Sequence, residues 1–173
     1  ELFLPSKKWN KEYIFARNQG TGYSDNIHQE KCMAANGMGG WSGLCPTQEL
    51  VDAYEMANGS TPIIGYNADG TPIINGASGY SETGFAATAG KHYPAGVYNM
   101  YVGREPRFYA SINFNGQQWR GRQLEFWQGG KDGINVSKVD YCCTGYLLRK
   151  TADEGVDVIN GKGGMKEASI LFR

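Results

Sequence analysis

The stretch of sequence that decides the fold reads Arg104-Glu105-Pro106-Arg107-Phe108-Tyr109-Ala110-Ser111-Ile112-Asn113-Phe114. From Phe108 to Phe114 apolar and polar side chains alternate, and alternation with a period of two residues predicts a β-strand. The dipeptide Asn115-Gly116 follows directly and is typical of a tight hairpin turn. We therefore predict a strand over residues 108–114 whose hairpin partner begins at residues 117–119.

The clearest helix signal lies upstream, over residues 48–57, which contain neither proline nor glycine. Thr47 is a suitable N-cap, Glu49 places a negative charge in the first turn, and Gly59 suits a left-handed exit. Its apolar side is expected to carry Leu50, Val51 and Tyr54. Its solvent-facing side is expected to carry Asp52 and Glu55.

Further short strands and long loops are predicted around these two elements. Two copies of Thr-Pro-Ile-Ile, at residues 61–64 and 71–74, flank the turn dipeptide Asp69-Gly70 and predict a β-hairpin. Strands are also predicted over residues 12–17 and 145–150. The glycine-rich and polar stretches predicted as loops are residues 18–43, 75–97 and 151–164.

The composition fits one loop-rich domain. The 173 residues include 25 glycines, 4 tryptophans, 11 tyrosines and 7 phenylalanines, so a permissive backbone is combined with side chains that bury large areas. We predict a single α+β domain over residues 1–173, with short strands and hairpins and few short helices. Basic and acidic side chains balance at 17 each, which gives no net charge to attract nucleic acid or an anionic membrane surface.

The residue types that bind metals are few and poorly spaced. His28 and His92 are far apart, and the cysteines lack the paired arrangement of a zinc site. We predict no metal and no cofactor. Cys32 and Cys45 could close a short loop as a disulfide or remain buried thiols, and one member of Cys142-Cys143 is expected to face away from the core.

Four segments resemble motifs of the SusD/RagB family of glycan-binding outer-membrane lipoproteins, in the family's order and spacing. The run Arg104-Glu105-Pro106-Arg107-Phe108 is similar to the family's signature, with Glu105 in place of the usual aspartate. The other three are residues 46–56 (Pro-Thr-Gln-Glu-Leu-Val-Asp-Ala-Tyr-Glu-Met), 12–17 (Glu-Tyr-Ile-Phe-Ala-Arg) and 144–150 (Thr-Gly-Tyr-Leu-Leu-Arg-Lys). The apolar end, residues 168–172, resembles the first turn of the family's next helix, and both chain ends are interpreted as cuts in a longer protein.

The resemblance implies the irregular C-terminal insert of the SusD-like fold, with the tetratricopeptide-type helical half missing. It also implies non-catalytic binding of oligosaccharides or polysaccharides for uptake through a SusC-like TonB-dependent transporter. The longer protein would be exposed at the cell outer membrane and would contact the membrane through a lipid anchor.

Sugar binding requires aromatic rings that stack on C–H faces and polar groups that bond hydroxyls. Trp41, flanked by glycines in the 18–43 loop, is the leading candidate, although its ring could instead pack down to hold the loop. The other candidates are Tyr23, Asp25, Asn26 and His28 in the same loop, and Trp119 and Trp127 after the Asn115-Gly116 turn.

Structural roles compete with binding at several of these positions. Trp119 can pack across the 108–114 strand, and Trp127 is expected in the core or at a rim. Arg104 and Arg107 are interpreted as structural residues that bond backbone carbonyls or pair with Glu105.

Two other functions remain open at this stage. A glycoside hydrolase or other carbohydrate-active enzyme needs two carboxylates about 5–10 Å apart, and no motif singles out such a pair, so we predict no enzyme. The third class is an insert that docks on the transporter without affinity for glycans.

Overall fold

The computed structural model describes residues 16–18, 30–134, 139–150, 152–161 and 169–171. Within these ranges short helices and four antiparallel strand pairs are joined by long turns. The helices are α1 (Gln48–Asp52) and α2 (Pro106–Ser111), with 3-10 helices at Asn36–Met38 and Asn99–Tyr101. The strands are β1 (Ala16–Asn18), β2 (Ile63–Tyr66), β3 (Pro72–Ile74), β4 (Ile112–Phe114), β5 (Gln118–Trp119), β6 (Arg122–Gln123), β7 (Tyr146–Leu148) and β8 (Ser169–Leu171). This is the irregular α+β architecture that the sequence predicts.

The hairpin predicted from the repeated Thr-Pro-Ile-Ile is present. Strands β2 and β3 pair antiparallel, with a register shift between Ile63 and Gly65. Gly70 closes the turn at a φ of 83°, which glycine adopts without steric cost. The turn dipeptide Asp69-Gly70 is therefore sufficient to predict the hairpin of β2 and β3.

The strand predicted over residues 108–114 is wrong in its first half. Pro106–Ser111 is helix α2, and the extended part is Ile112–Phe114. Proline suits the first position of a helix because its missing N–H would have no intrahelical acceptor there. The consecutive residues Phe108 and Tyr109 are both buried, which one face of a strand does not allow.

The predicted hairpin partner is wrong as well. Strand β4 pairs with β7, so that Ile112 lies opposite Leu148, which confirms the strand predicted within residues 145–150. Strand β5 pairs with β6 instead. Arg120 and Gly121 connect them with φ angles of 47° and 84°, the left-handed pair that a two-residue hairpin turn needs.

Helix α1 begins where predicted and ends earlier. The Thr47 hydroxyl accepts the Leu50 N–H at 3.4 Å, which confirms the N-cap, but the helix stops at Asp52 instead of residue 57. Beyond it the backbone turns to meet the segment before α2, where Glu105 N donates to Glu55 O at 3.0 Å. A partner distant in sequence therefore ends the helix.

Two side chains of α1 also face differently from the prediction. Asp52 is buried, and its carboxylate accepts hydrogen bonds from Gln48 Nε2 at 2.7 Å and from the Tyr66 hydroxyl at 2.8 Å. The hydrogen bond to this carboxylate raises the pKa of Tyr66 to about 12, because only the neutral hydroxyl can donate it. Leu50, assigned to the apolar face, is 49% exposed.

The main core is a cluster of rings around α2 and β4. Phe108 and Phe114 are fully buried and stacked at 5.5 Å, and Tyr101 lies 4.4 Å from Phe114, measured between ring centroids. A second cluster contains Trp119, Leu124 and Leu147. Aromatic packing replaces long regular elements as the source of buried area.

The four cysteines are free thiols in this structure. Cys45 Sγ lies 3.7 Å from Cys142 Sγ, and both Cys32 and Cys45 are half-buried thiols. The Cys142 thiol lowers the pKa of Cys45 by hydrogen bonding. Cys142 is buried and Cys143 is exposed, which confirms that the adjacent pair faces opposite ways.

Strands β1 and β8 pair antiparallel, so that Arg17 lies opposite Ile170. Residues 169–171 are therefore extended, so the helical turn predicted within residues 168–172 is wrong for these three residues. Residues 168 and 172 lie outside the described part of the chain. Residues 12–15 of the predicted first strand lie outside the described residues. Within the described part of the chain, no helix has the length and apolar character needed to cross a membrane.

Candidate functional site

The 3-10 helix Asn36–Met38 is the centre of the candidate site. It lies inside the stretch predicted as one long loop, which also contains helical residues at 30–33. Gly39 ends it in the left-handed conformation, with a φ of 77°. Gly37 passes so close to the neighbouring turn that an added Cβ would lie 2.5 Å from Lys131 O. The 3-10 helix is thus held at both faces by other loops.

Trp41 lies on the segment that leaves this 3-10 helix, and the residue is 37% exposed. Its backbone N–H donates to Lys31 O at 2.6 Å, and the following Ser42 N–H donates to Ala34 O at 3.0 Å. Lys31 Nζ lies 5.3 Å from the centroid of the Trp41 ring, within cation–π distance. The backbone is fixed while part of the indole surface remains accessible.

Gly40 allows this path because its backbone packs directly on residue 34. A Cβ at position 40 would lie 2.0 Å from Ala34 O, which is far inside van der Waals contact. We expect Gly40→Ala to lower the free energy of unfolding by about 1–3 kcal/mol, since the loop must move to relieve the overlap. Thermal unfolding measures this change.

Gly43 provides a matched control for that substitution. Its added Cβ would lie 3.7 Å from Cys32, an ordinary contact. Gly43→Ala is expected to leave the unfolding midpoint close to that of the unmodified protein. Equal effects of the two substitutions would show that the close approach of Gly40 is unimportant.

A cavity of about 630 Å³ opens beside the 3-10 helix, between the Arg120-Gly121 turn and residues 154–160. Arg120 forms a buried ion pair with Glu30 at 2.7 Å, with side chains 8% and 5% exposed. The Arg120 guanidinium also donates to the Asp153 carbonyl, and the Glu30 carboxylate accepts from the Asp153 N–H. Arg120 Nη1 is buried and has no hydrogen-bond partner among the described residues.

A second ion pair fixes the turn that carries Trp127. Asp132 is fully buried and accepts from Arg122 Nη1 and Nη2, both at 2.7 Å, and from Glu125 N at 2.9 Å. The turn contacts the 3-10 helix through Asn36 Nδ2, which lies 3.5 Å from Gly133 O. Trp127 is 52% exposed on this turn.

The structure separates the predicted site residues into three groups. Trp41 and Trp127 are exposed, each on a loop that contacts the same 3-10 helix. Trp119 is 3% exposed and packs in the core, as the alternative interpretation predicts, but its cluster contains Leu124 and Leu147 rather than residues of the 108–114 segment. The Arg149 guanidinium lies 4.7 Å from the Trp119 ring centroid. The remaining four candidates, Tyr23, Asp25, Asn26 and His28, lie outside the described residues.

Sequence reasoning missed the polar wall of the cavity. Residues 154–160 belong to the predicted loop 151–164, and neither Arg120 nor Arg122 is among the candidate residues. Val156 and Val158 of that segment are buried and bring Asp157 and Asn160 to the cavity. The alternation Val156-Asp157-Val158 was the available signal.

The described carboxylates of this region serve mainly as acceptors for arginines and backbone N–H groups. Among the described residues, no three histidine, cysteine or acidic side chains come together as a metal site. Trp41 and Trp127 are exposed on loops that contact the 3-10 helix, and the cavity beside the same helix is lined by guanidinium, amide and carboxylate side chains, which suit polar ligands with apolar faces.

Comparison with known proteins agrees with this fold. The chain aligns with a SusD-like protein (BF3747) from Bacteroides fragilis at 27% identity and a TM-score of 0.52, covering 88% of this chain and 28% of the other. It also aligns with the selenomethionine form of BT4246 at 20% identity and a TM-score of 0.55, covering 88% of this chain and 26% of that one, which bears on the fold alone. The chain thus spans about a quarter of the length of these structures. No curated protein sequence matches it.

The architecture is that of an irregular SusD-like α+β domain. The model of the SusD family matches residues 6–173, and the chain belongs to this family. Members of the family are generally non-catalytic, surface-exposed lipoproteins that bind glycans.

Proposed function

We propose that this chain binds oligosaccharides or polysaccharides through the surface around the 3-10 helix Asn36–Met38, without breaking a bond in them. The observation that carries the proposal is the exposed Trp41 ring on a loop whose backbone is fixed by hydrogen bonds. A fixed platform loses little conformational entropy when a ligand stacks on it.

The neighbouring groups supply the polar half of sugar recognition. Arg120, Asp157 and Asn160 line the cavity beside the 3-10 helix. Sugar hydroxyls both donate and accept hydrogen bonds, so a wall with guanidinium, amide and carboxylate groups can bond them in several orientations. Trp127 adds a second exposed ring on a turn that contacts the same 3-10 helix.

We further propose the cellular setting that the family membership favours. The chain acts as the C-terminal subdomain of a longer protein that is anchored to the outer membrane by a lipid. That protein delivers captured glycan to a SusC-like TonB-dependent transporter. Co-purification of the longer protein with such a transporter tests this part separately from glycan affinity.

Substitution of Trp41 by alanine tests the binding platform. Isothermal titration calorimetry against maltohexaose, cellohexaose, xylohexaose and mannohexaose identifies the ligand that the unmodified protein binds. For that ligand we expect Trp41→Ala to weaken Kd at least about tenfold, because a central aromatic contact contributes about 1.4 kcal/mol or more.

Phe85→Ala is the matched control, since Phe85 is 68% exposed and lies outside the site. It is expected to leave Kd unchanged. Unchanged affinity in Trp41→Ala contradicts the platform, and the appearance of shorter sugars during incubation contradicts binding without catalysis. Chromatography of the incubated oligosaccharides detects such products.

A further inference from the structure

A second concave surface lies between residues 90–94, the start of α2, β5 and Arg149. This cleft has a volume of about 470 Å³ and shares no lining residue with the cavity beside the 3-10 helix. The volume is within the range of about 300–1,000 Å³ that is typical of small-ligand sites. The cleft is large enough for a sugar unit.

One wall of the cleft is aromatic and rigid. The His92 ring is stacked on Tyr109, with 5.0 Å between centroids and 22° between planes, and Tyr93 is stacked at 6.2 Å. The Tyr109 hydroxyl donates to Tyr101 O at 2.6 Å and accepts from Arg104 N at 3.1 Å. Because both bonds are to backbone atoms, the ring that supports this wall is fixed.

The charges of the cleft are one-sided although the chain as a whole is neutral. Its described lining residues include Lys91, His92 and Arg149 and no aspartate or glutamate. Burial lowers the pKa of the Arg149 guanidinium. The Glu154 carboxylate raises this pKa, but by less than burial lowers it. None of the ion pairs between described residues involves Lys91 or Arg149.

Arg149 is held in place and partly removed from water. Its Nη1 donates to Tyr109 O at 2.9 Å, and its guanidinium lies 4.7 Å from the Trp119 ring centroid. No ion pair between described residues involves this guanidinium, and a cation that has lost hydration gains energy when an anion enters beside it. Gln117 and Gln118 add amide groups for neighbouring hydroxyls.

We propose that this cleft binds an acidic sugar unit, with its carboxylate or sulfate group at Lys91 and Arg149 and its ring against His92 and Tyr93. The inference rests on the proposed glycan binding and extends it to a ligand class and a second site. It is tested with a different variant and different ligands from those that test Trp41.

Trigalacturonate and its fully methyl-esterified form are a matched pair of ligands, because esterification removes the negative charges and keeps the rings. At low salt we expect the acid to bind at least about fivefold more tightly than the ester, and the difference to shrink as sodium chloride screens the charges. A sulfated carrageenan tetrasaccharide forms a second arm that distinguishes sulfate from carboxylate. Tight binding of either acidic ligand supports the inference.

Lys91→Gln removes one cation from an exposed side chain and leaves the core untouched. It is expected to weaken trigalacturonate binding about fivefold and to leave neutral hexasaccharide binding unchanged, whereas Arg107→Gln, at an exposed cation that does not line the cleft, changes neither. NMR shifts of the His92 ring on titration with trigalacturonate locate the ligand. Equal affinity for acid and ester with no tight binding of the carrageenan, or unchanged affinity in Lys91→Gln with no His92 shift, overturns the inference while leaving the Trp41 test unaffected.

Discussion

Arg104→Ala is expected to lower the free energy of unfolding by about 3–5 kcal/mol, a large part of the total stability of a domain this size. The guanidinium is 2% exposed and bonds three backbone carbonyls, those of Val51 at 2.6 Å, Tyr54 at 2.7 Å and Met100 at 3.2 Å. Alanine leaves these buried acceptors without their donor and opens a space above Phe108. Urea unfolding followed by tryptophan fluorescence measures the loss.

The same signature contains the control for this substitution. Arg107 has a side chain that is 73% exposed and pairs with Glu105, whose side chain is 11% exposed. Arg107→Ala removes an equal charge and is expected to shift the unfolding midpoint far less, because water already solvates this guanidinium and the Glu105 carboxylate keeps its hydrogen bond from Glu55 N. Similar shifts for the two variants would mean that capping of the α1 carbonyls does not stabilise the fold.

Asp132→Ala is the second substitution with a large expected effect, about 2–4 kcal/mol of unfolding free energy. The buried carboxylate accepts three hydrogen bonds, two from Arg122 and one from Glu125 N. Its removal leaves a partly buried guanidinium unpaired and releases the turn that carries Trp127. Urea unfolding gives the energy, and faster hydrogen exchange of the Glu125 N–H locates the change in this turn.

Asp140→Ala makes the identical chemical change at an exposed position. It is expected to leave both the unfolding curve and the exchange of Glu125 unaltered. If Asp132→Ala also leaves the Glu125 exchange rate unaltered, the carboxylate does not hold the turn, and the positioning of Trp127 has another cause.

Two ion pairs and one capping arginine thus account for how a chain rich in glycine presents ordered loops. Each of the three arginines Arg104, Arg120 and Arg122 is held by partners from another segment of the chain. The exposed rings are attached to this framework, which is why their positions are fixed although regular structure is scarce.

The candidate site was partly predictable from sequence. Trp41 was identifiable because its flanking glycines indicate an exposed loop, and its exposure agrees with that interpretation. Trp119 offered the same residue type and lies in the core, because Leu124, Leu147 and Arg149 surround it only after distant segments meet. The cavity beside the 3-10 helix was not predictable, since its walls come from three separate stretches.

The sequence by itself determined the features whose cause lies within a few residues. The Thr47 cap, the hairpin turn at Gly70 and the extended residues 146–148 follow from local sterics and local hydrogen bonds. Together with the motif order, they were sufficient to predict a SusD-like α+β domain.

Tertiary structure decided the features that depend on a partner far along the chain. Helix α1 ends at Asp52 because residues 104 and 105 bond its last carbonyls and the backbone that follows, and β4 pairs with β7 rather than with the nearer residues 117–119. The physical reason is that a buried hydrogen bond or ring contact outweighs the small differences in local propensity between helix and strand.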